Sequence, residues 1–264
     1  MVIVQISDCH VVSPERRAYG RVDTAGLLRR AVEAINALPQ GPDVIMATGD
    51  LVQSGTAEEY ATFLEITAAL PAPVLPVVGN HDLRDTLAQA FGLESRVRLQ
   101  PGFIQYAIED YPMRILVIDT HTPGSSEPSL CAERLAWIER RLAEDTRPTF
   151  IAMHHPPFPS GVAWMEPKQA DWAQPLCEII ARHSSVVRLA CGHVHRPTTV
   201  CWAGTCAMSA PSTAHQVFPD LTPAARPRFN LEAPGFLLHQ WTGTDLISYG
   251  LAIPGIADTI ELSR

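Results

Sequence analysis

Five times along this chain a short apolar run stops at a cluster of carboxylate, imidazole or amide side chains. Val2–Ile6 leads to Asp8-Cys9-His10, Val44–Ala47 to Gly49-Asp50, residues 74–78 to Gly79-Asn80-His81-Asp82, residues 150–153 to His154, and Val186–Cys191 to Gly192-His193-Val194-His195. Short apolar runs bounded by turn signals read as buried strands. Polar residues gathered at the carboxyl ends of such strands form a crevice for ligands. Singly, each cluster has a plain explanation: Asp8 and Asp50 as turn or cap residues, His154 as a loop residue before proline, His193 and His195 as surface imidazoles. Five strand ends carrying the same kinds of donor have no such explanation.

The segments between these ends alternate in period. Asp23 or Thr24 can cap a helix whose apolar positions Leu27, Leu28, Ala31, Ile35 and Leu38 have helical spacing, and Pro39 to Pro42 stop it. Helices over residues 57–70 and 83–91 follow the second and third runs, a βαβα rhythm whose natural result is parallel strands. At residue 103 the pattern changes, and 103–109 with 114–118 read as a hairpin that begins a second sheet. Helices over 130–144 and 171–182 and strands over 198–202, 206–209, 236–240 and 246–253 complete the reading. The long connection carrying Trp164 and Met165 is placed to wall a pocket. Residues 211–234 are too proline-rich for regular structure and read as a cap. The expected organisation is one domain over 1–264, with a cap or interface excursion around 211–235 and a C-terminal tail at 254–264.

Charge and cysteine usage narrow the class of function. A net charge of −8 without any basic run argues against a broad grip on nucleic acid or anionic lipid. The first residues lack the basic and apolar regions of a signal peptide, and no apolar run approaches a membrane-spanning length, so a cytoplasmic protein is expected. Six cysteines without a CxxC pair read as reduced thiols. Cys201 and Cys206 can face each other across a turn at Ala203-Gly204, although a reducing compartment disfavours a disulfide there.

In Asp8-x-His10 and His193-x-His195 the residues stand two apart, so on an extended backbone each pair leaves on one face and can grip one ion. Mixed carboxylate, imidazole and amide ligands suit a divalent transition metal rather than a structural thiolate zinc site. Two ions about 3.5–4 Å apart can share a bridging hydroxide and stabilise in-line displacement at phosphorus.

The motif set Asp8-x-His10, Gly49-Asp50, Gly79-Asn80-His81-Asp82, His154-His155-Pro156-Pro157 and Gly192-His193-x-His195 resembles, in order, that of the calcineurin-like metallophosphoesterases. Tyr19 to Asp23, Gly161 to Pro167 and Pro211 to Val217 are similar to stretches of the bacterial class III cyclic-nucleotide phosphodiesterase and glycerophosphodiesterase group. The resemblance implies a mixed α/β fold, a four-layer αββα sandwich of two mixed sheets flanked by helices, with a di-metal site at strand C-terminal ends. It implies that one ion takes Asp8, His10 and His195, and the other Asn80, His154 and His193, with Asp50 bridging. His155 is then structural or supporting, because the family's ligand stands two residues before a proline, here Pro156.

The same resemblance implies that His81 contacts the phosphate and protonates the leaving alkoxide, or only orients the substrate, and that Asn80, His81 and His215 meet the substrate. Asp82 and Asp119 are candidates to orient the ligating histidines. Arg16, Arg17 and Arg21 can reach a phosphate, though a solvated face explains them as well. The expected activity is hydrolysis of a small phosphodiester, a glycerophosphodiester or a cyclic nucleotide, with two ions among Fe, Mn, Zn and Co and a possible homo-oligomer. The alternatives are a phosphomonoesterase or nucleotidase and a non-catalytic metal-binding scaffold. Protein phosphatases differ at the second motif, where this chain reads Gly49-Asp50-Leu51-Val52-Gln53-Ser54-Gly55.

Overall fold

The computed structural model of the chain describes residues 1–97 and 99–253, so the tail expected over 254–264 lies outside the described residues. The first half runs β1 (Val2–Ile6), α1 (Thr24–Asn36), β2 (Val44–Ala47), α2 (Ala57–Thr67), β3 (Val74–Pro76), α3 (Arg84–Phe91) and α4 (Leu93–Arg96). A hairpin, β4 (Tyr106–Ile108) and β5 (Arg114–Val117), is followed by α5 (Ala132–Glu144), β6 (Thr149–Ala152), α6 (Gln174–Ala181) and β7 (Val186–Cys191). Then come β8 (Thr198–Trp202), β9 (Thr205–Ser209), β10 (Gln216–Val217), β11 (Phe229–Asn230), β12 (Gly235–Trp241) and β13 (Leu246–Ala252). No helix among the described residues is long and apolar enough to cross a membrane.

Local chemistry sets the helix starts. The Asp23 carboxylate accepts the Gly26 amide at 2.9 Å and caps α1. Thr56 and Glu59 form a reciprocal capping box at α2, satisfying amides that the first turn leaves unpaired. Gly92, at φ 59, ends α3 in the left-handed conformation that a residue without Cβ adopts cheaply.

Two mixed sheets result, ordered β13-β12-β1-β2-β3 and β4-β5-β6-β7-β9-β8. β1, β2 and β3 are mutually parallel, as are β5, β6, β7 and β9, while β12, β13, β4 and β8 pair antiparallel. Alternation along β5 builds both sides of the second sheet: Ile115 and Val117 join the core shared with the first sheet and its helices, whereas Leu116 and Ile118 pack with Trp137, Ile138, Leu142, Leu176 and Ile180 of α5 and α6. The four layers are thus α1–α3, sheet, sheet, and α5 with α6. Between the sheets, Gln5 donates to the Cys191 carbonyl at 2.8 Å and to Thr48 Oγ1 at 3.0 Å, and its own oxygen lies 3.1 Å from His239 Nε2. That chain of bonds satisfies polar groups buried where the sheets meet.

The reading of residues 211–234 as irregular is corrected in one respect. β10 and β11 pair antiparallel within it, Gln216 opposite Asn230 and Val217 opposite Phe229. Residues 211–217 are buried rather than on the surface, because Ser212 Oγ donates to the Asp8 carbonyl at 2.7 Å and the Thr213 amide to the Ser7 carbonyl at 3.1 Å. Proline excludes a ladder in the middle of a sheet but permits a short ribbon beside it.

Candidate metal centre

All of the polar strand ends meet at one edge of the sandwich, around a cavity of about 410 Å3. His10, Asp50, Asn80, His81, His193, His195 and His215 line it, and Asp8 and His154, both fully buried, sit against the lining residues His195 at 3.4 Å and Asn80 at 3.1 Å. The expected extended backbone is absent from the loops that carry them. Asp8, His10, Asp50, His193 and His195 have φ of 50, 46, 49, 69 and 50°, the left-handed region that side chains rarely occupy. The chain is held there by neighbouring backbone: the Asp8 amide donates to the Gly49 carbonyl at 3.0 Å, the His10 amide to the Asp50 carbonyl at 2.9 Å and the Val11 amide to the Leu51 carbonyl at 3.1 Å. The close approach leaves no room at Gly79, where a Cβ would overlap the Asp50 amide and carboxylate, or at Gly192, where it would overlap Ser7 and the Thr48 carbonyl.

Hydrogen bonds on the outer nitrogens decide which atoms face inward. His10 Nδ1–H donates to Gln53 Oε1 at 3.1 Å, His195 Nδ1–H to the His215 carbonyl at 2.8 Å and His154 Nδ1–H to the Thr48 carbonyl at 2.9 Å. Each Nε2 is then the nitrogen that faces inward, with a lone pair wherever the ring is neutral. The Nε2 atoms of His10 and His195 stand 3.1 Å apart, and that of His195 lies 3.4 Å from Asp8 Oδ1. His154 Nε2 lies 3.1 Å from Asn80 Oδ1 and 3.4 Å from Asp50 Oδ2, and His193 Nδ1 lies 2.9 Å from the same Asn80 oxygen. Asp50 Oδ1 is occupied by the His81 amide at 2.8 Å, which leaves Oδ2 between His154 and His10, the latter at 3.7 Å. Acceptors facing acceptors in a buried site repel unless a cation lies between them. The donor set therefore fits divalent metal in two adjoining places, one beside Asp8, His10 and His195 and one beside Asn80, His154 and His193, with Asp50 between.

Protonation follows the same crowding. Burial pushes His193 down to about 3 and His195 to about 4, and burial also holds His10 well below its ordinary range, so all three are neutral and able to ligate at neutral pH. Burial likewise lowers His154, but Asp50, Asp8 and the Thr48 carbonyl outweigh it and lift this imidazole to about 9. Burial opposes the charge of Asp50, yet His154, His10 and His81 hold its carboxyl well below the usual range. In the chain alone a proton on His154 is the cation that the cluster holds.

Three further histidines come close. Nitrogens of His215, His81 and His155 fall within 4.8 Å of candidate ligand atoms in the groups His10-His195-His215, His10-Asp50-His81 and His154-His155-His193. His155 is turned to Thr120, whose Oγ1 lies 2.8 Å from its Nδ1. His81 Nδ1–H donates to the Gln53 carbonyl at 2.8 Å, which leaves its Nε2 free.

Asp82 and Asp119 do not orient ligating histidines. Asp82 Oδ2 accepts the amides of Gly79 at 2.9 Å and Leu51 at 3.3 Å, and its Oδ1 accepts the Tyr60 hydroxyl at 2.9 Å, so it ties together the loops that carry Asp50 and Asn80. Asp119 accepts Arg84 at 2.7 Å and the amides of Ile104 and His121 at 2.9 Å. Main-chain carbonyls orient His154 and His195, and Gln53 orients His10, instead; backbone acceptors leave no mark in a sequence.

Trp164 and Met165 do wall the cavity, as the long connection suggests, together with Phe158 and Glu127. Arg16, Arg17 and Arg21 do not line it. The arginine that does is Arg228, beside Phe229 of β11, whose ring lies 4.8 Å from those of both Tyr19 and His215. Tyr19, Gln53 and Arg228 were not singled out as site residues from the sequence, since none sits at a strand end.

Comparison with known proteins agrees with this architecture. Residues 1–197 match the family described as calcineurin-like phosphoesterase. The chain is 35% identical over 244 residues to a probable glycerophosphodiester phosphodiesterase GpdQ of Arcobacter nitrofigilis, covering 92% of this chain and 89% of that one. It is 31% identical over 218 residues to the 3′,5′-cyclic adenosine monophosphate phosphodiesterase CpdA of Escherichia coli K12, covering 82% and 78%. Among solved structures, a dimetal phosphatase from Danio rerio shares the fold at a TM-score of 0.68 and 14% identity over 96% of each chain. On the strength of the family match and these relatives, the chain belongs to the calcineurin-like phosphoesterases.

Proposed function

We propose that this chain is a metal-dependent phosphodiesterase of small diesters, a glycerophosphodiester or a cyclic nucleotide, with two divalent ions held by Asp8, His10 and His195 and by Asn80, His154 and His193, bridged by Asp50. The observation that carries the reading is the set of inward-facing ligand atoms, His10 Nε2 and His195 Nε2 at 3.1 Å and His154 Nε2 and Asn80 Oδ1 at 3.1 Å, gathered about the Asp50 carboxylate. The names of relatives at 35% and 31% identity support a diester as substrate. When bound, the ions supply a nucleophile at neutral pH and Lewis-acid stabilisation of phosphoryl charge.

The protein's own groups do the rest. His81 faces the cavity with its Nδ1–H fixed on the Gln53 carbonyl, so Nε2 is the nitrogen turned to the substrate, and in the imidazolium form it is Nε2–H that protonates the leaving alkoxide. Asn80 and His215, both in the cavity wall, contact the substrate. The aromatic wall of Tyr19, Phe158, Trp164 and Phe229 holds the leaving group and limits water. Ion identity and the cytoplasmic location belong to the same proposal, tested by elemental analysis of the purified protein and by cell fractionation.

The test is a substrate panel at fixed metal content: glycerophosphodiesters, 3′,5′- and 2′,3′-cyclic nucleotides, and matched monoesters. One diester class is expected to lead in kcat/KM by orders of magnitude. Monoesters equal to or better than every diester overturn the reading. His81→Ala in the same panel should leave metal content intact and slow alkoxide leaving groups most.

A further inference from the structure

We infer that Cys201 and Cys206 form a reversible dithiol–disulfide site at the tip of the β8–β9 hairpin, separate from the metal centre. All six cysteines are free thiols in the structure, but these two are register partners, Cys201 opposite Cys206, with Trp202 opposite Thr205 as the last pair before the turn. The two turn residues, Ala203 at φ 50 and Gly204 at φ 80, both left-handed, make the primed type of two-residue turn that matches strand twist.

In a hairpin so closed, the pair beside the turn exchanges backbone hydrogen bonds, and the next pair outward does not. Cys201 and Cys206 are that next pair. A pair of this kind has its Cα atoms roughly 4.5 Å apart and its side chains on one face, within the roughly 4.4–6.8 Å that a disulfide spans. The backbone therefore needs no rearrangement to bring the sulfurs together.

Access separates this pair from the other cysteines. Cys201 is exposed and Cys206 half-buried, on a hairpin whose β8 strand is an edge of the second sheet. Cys9 and Cys191 are fully buried, and burial pushes the Cys9 thiol up to about 12, so neither is a nucleophile. Cys131 precedes α5 and Cys177 lies in α6, and neither has a cysteine opposite it.

The oxidant is a low-molecular-weight disulfide. The Cys201 thiolate attacks one of its sulfurs, forming a mixed disulfide and expelling one thiolate; the Cys206 thiolate then attacks the Cys201 sulfur and expels the second. The protein loses two protons and two electrons, and the oxidant takes them up to become two thiols. The strands leave the metal centre at their other end, where Thr198 and Ser209 hydroxyls meet at 2.6 Å and Ser209 Oγ donates to the Arg196 carbonyl at 2.6 Å. The bond thus braces the free tip of an edge hairpin while the histidines at its base keep their places.

The test treats the folded, metal-loaded full chain with oxidised glutathione and maps peptides without reduction. The expected product is an internal 201–206 crosslink, reversed by dithiothreitol, with the rate on the best substrate changed less than twofold. Cys206→Ser should instead retain glutathione on Cys201, because the resolving thiol is gone. Phenylarsine oxide, which bridges neighbouring thiols without oxidation, should bind the parent chain and be lost in either serine variant. A stable glutathione adduct on Cys201 of the parent chain, or no difference in arsenical binding between parent and variants, would overturn the inference.

Discussion

Removing one hydroxyl group, in Tyr60→Phe, tests whether Asp82 is the clamp between the loops of Asp50 and Asn80. Tyr60 and Asp82 are both fully buried, and the phenol donates to the carboxylate at 2.9 Å. A hydrogen bond to a charged acceptor is worth about 1.5–3 kcal/mol, so the variant should lose about 2 kcal/mol in urea unfolding of the metal-stripped protein. Burial, with the nearby Asp50 adding to it, pushes the Asp82 carboxyl up to about 6. The loss should therefore be full at pH 8, where Asp82 is charged, and fall toward the roughly 1 kcal/mol of a neutral bond at pH 5. Asp82→Asn keeps an oxygen for the Gly79 and Leu51 amides but turns an amino group toward the phenol. In that background Tyr60→Phe should cost little, giving a coupling of about 1–2 kcal/mol in the double-mutant cycle. Equal losses in both backgrounds, independent of pH, would refute the clamp.

Two other outcomes follow from the same geometry. Because the carboxylates keep His154 protonated up to about 9, metal must displace that proton at neutral pH, so apparent affinity should rise about tenfold per pH unit below it, as ligation requires. Calorimetric heats that are identical in buffers of different ionisation enthalpy would contradict that release. Gln53→Leu removes the acceptor for His10 Nδ1–H and should weaken metal binding about 10–100-fold, read by competition with a chelator. Unchanged affinity would mean that His10 is oriented without Gln53.

Much of the fold and the positions of the site residues were legible because few residue types do this chemistry and each stood at the end of an apolar run. Asp8, His10, Asp50, Asn80, His154, His193 and His195 were readable in that way, and the structure brings all seven together. The switch from βαβα to a second sheet at β4 was visible in period alone. What escaped was whatever depends on the path of the main chain. The left-handed turns at five of these residues carry no sequence signal, since glycine, the usual marker, is absent there. Gln53 carries no mark that sets it apart from other polar residues, Asp82 reads as a partner for histidine, and Arg228 and Phe229 lie in a proline-rich stretch whose short ribbon no sequence pattern announces.

Those left-handed residues have a consequence for how such a protein can change. At Asp8, His10, Asp50, His193 and His195 the conformation stores of order 1–3 kcal/mol each, and glycine would relieve it at every one. Selection for thermal stability alone would strip them out first. Its end point would be the same sandwich of two sheets, more robust than this chain, with bare turns where the polar residues now converge.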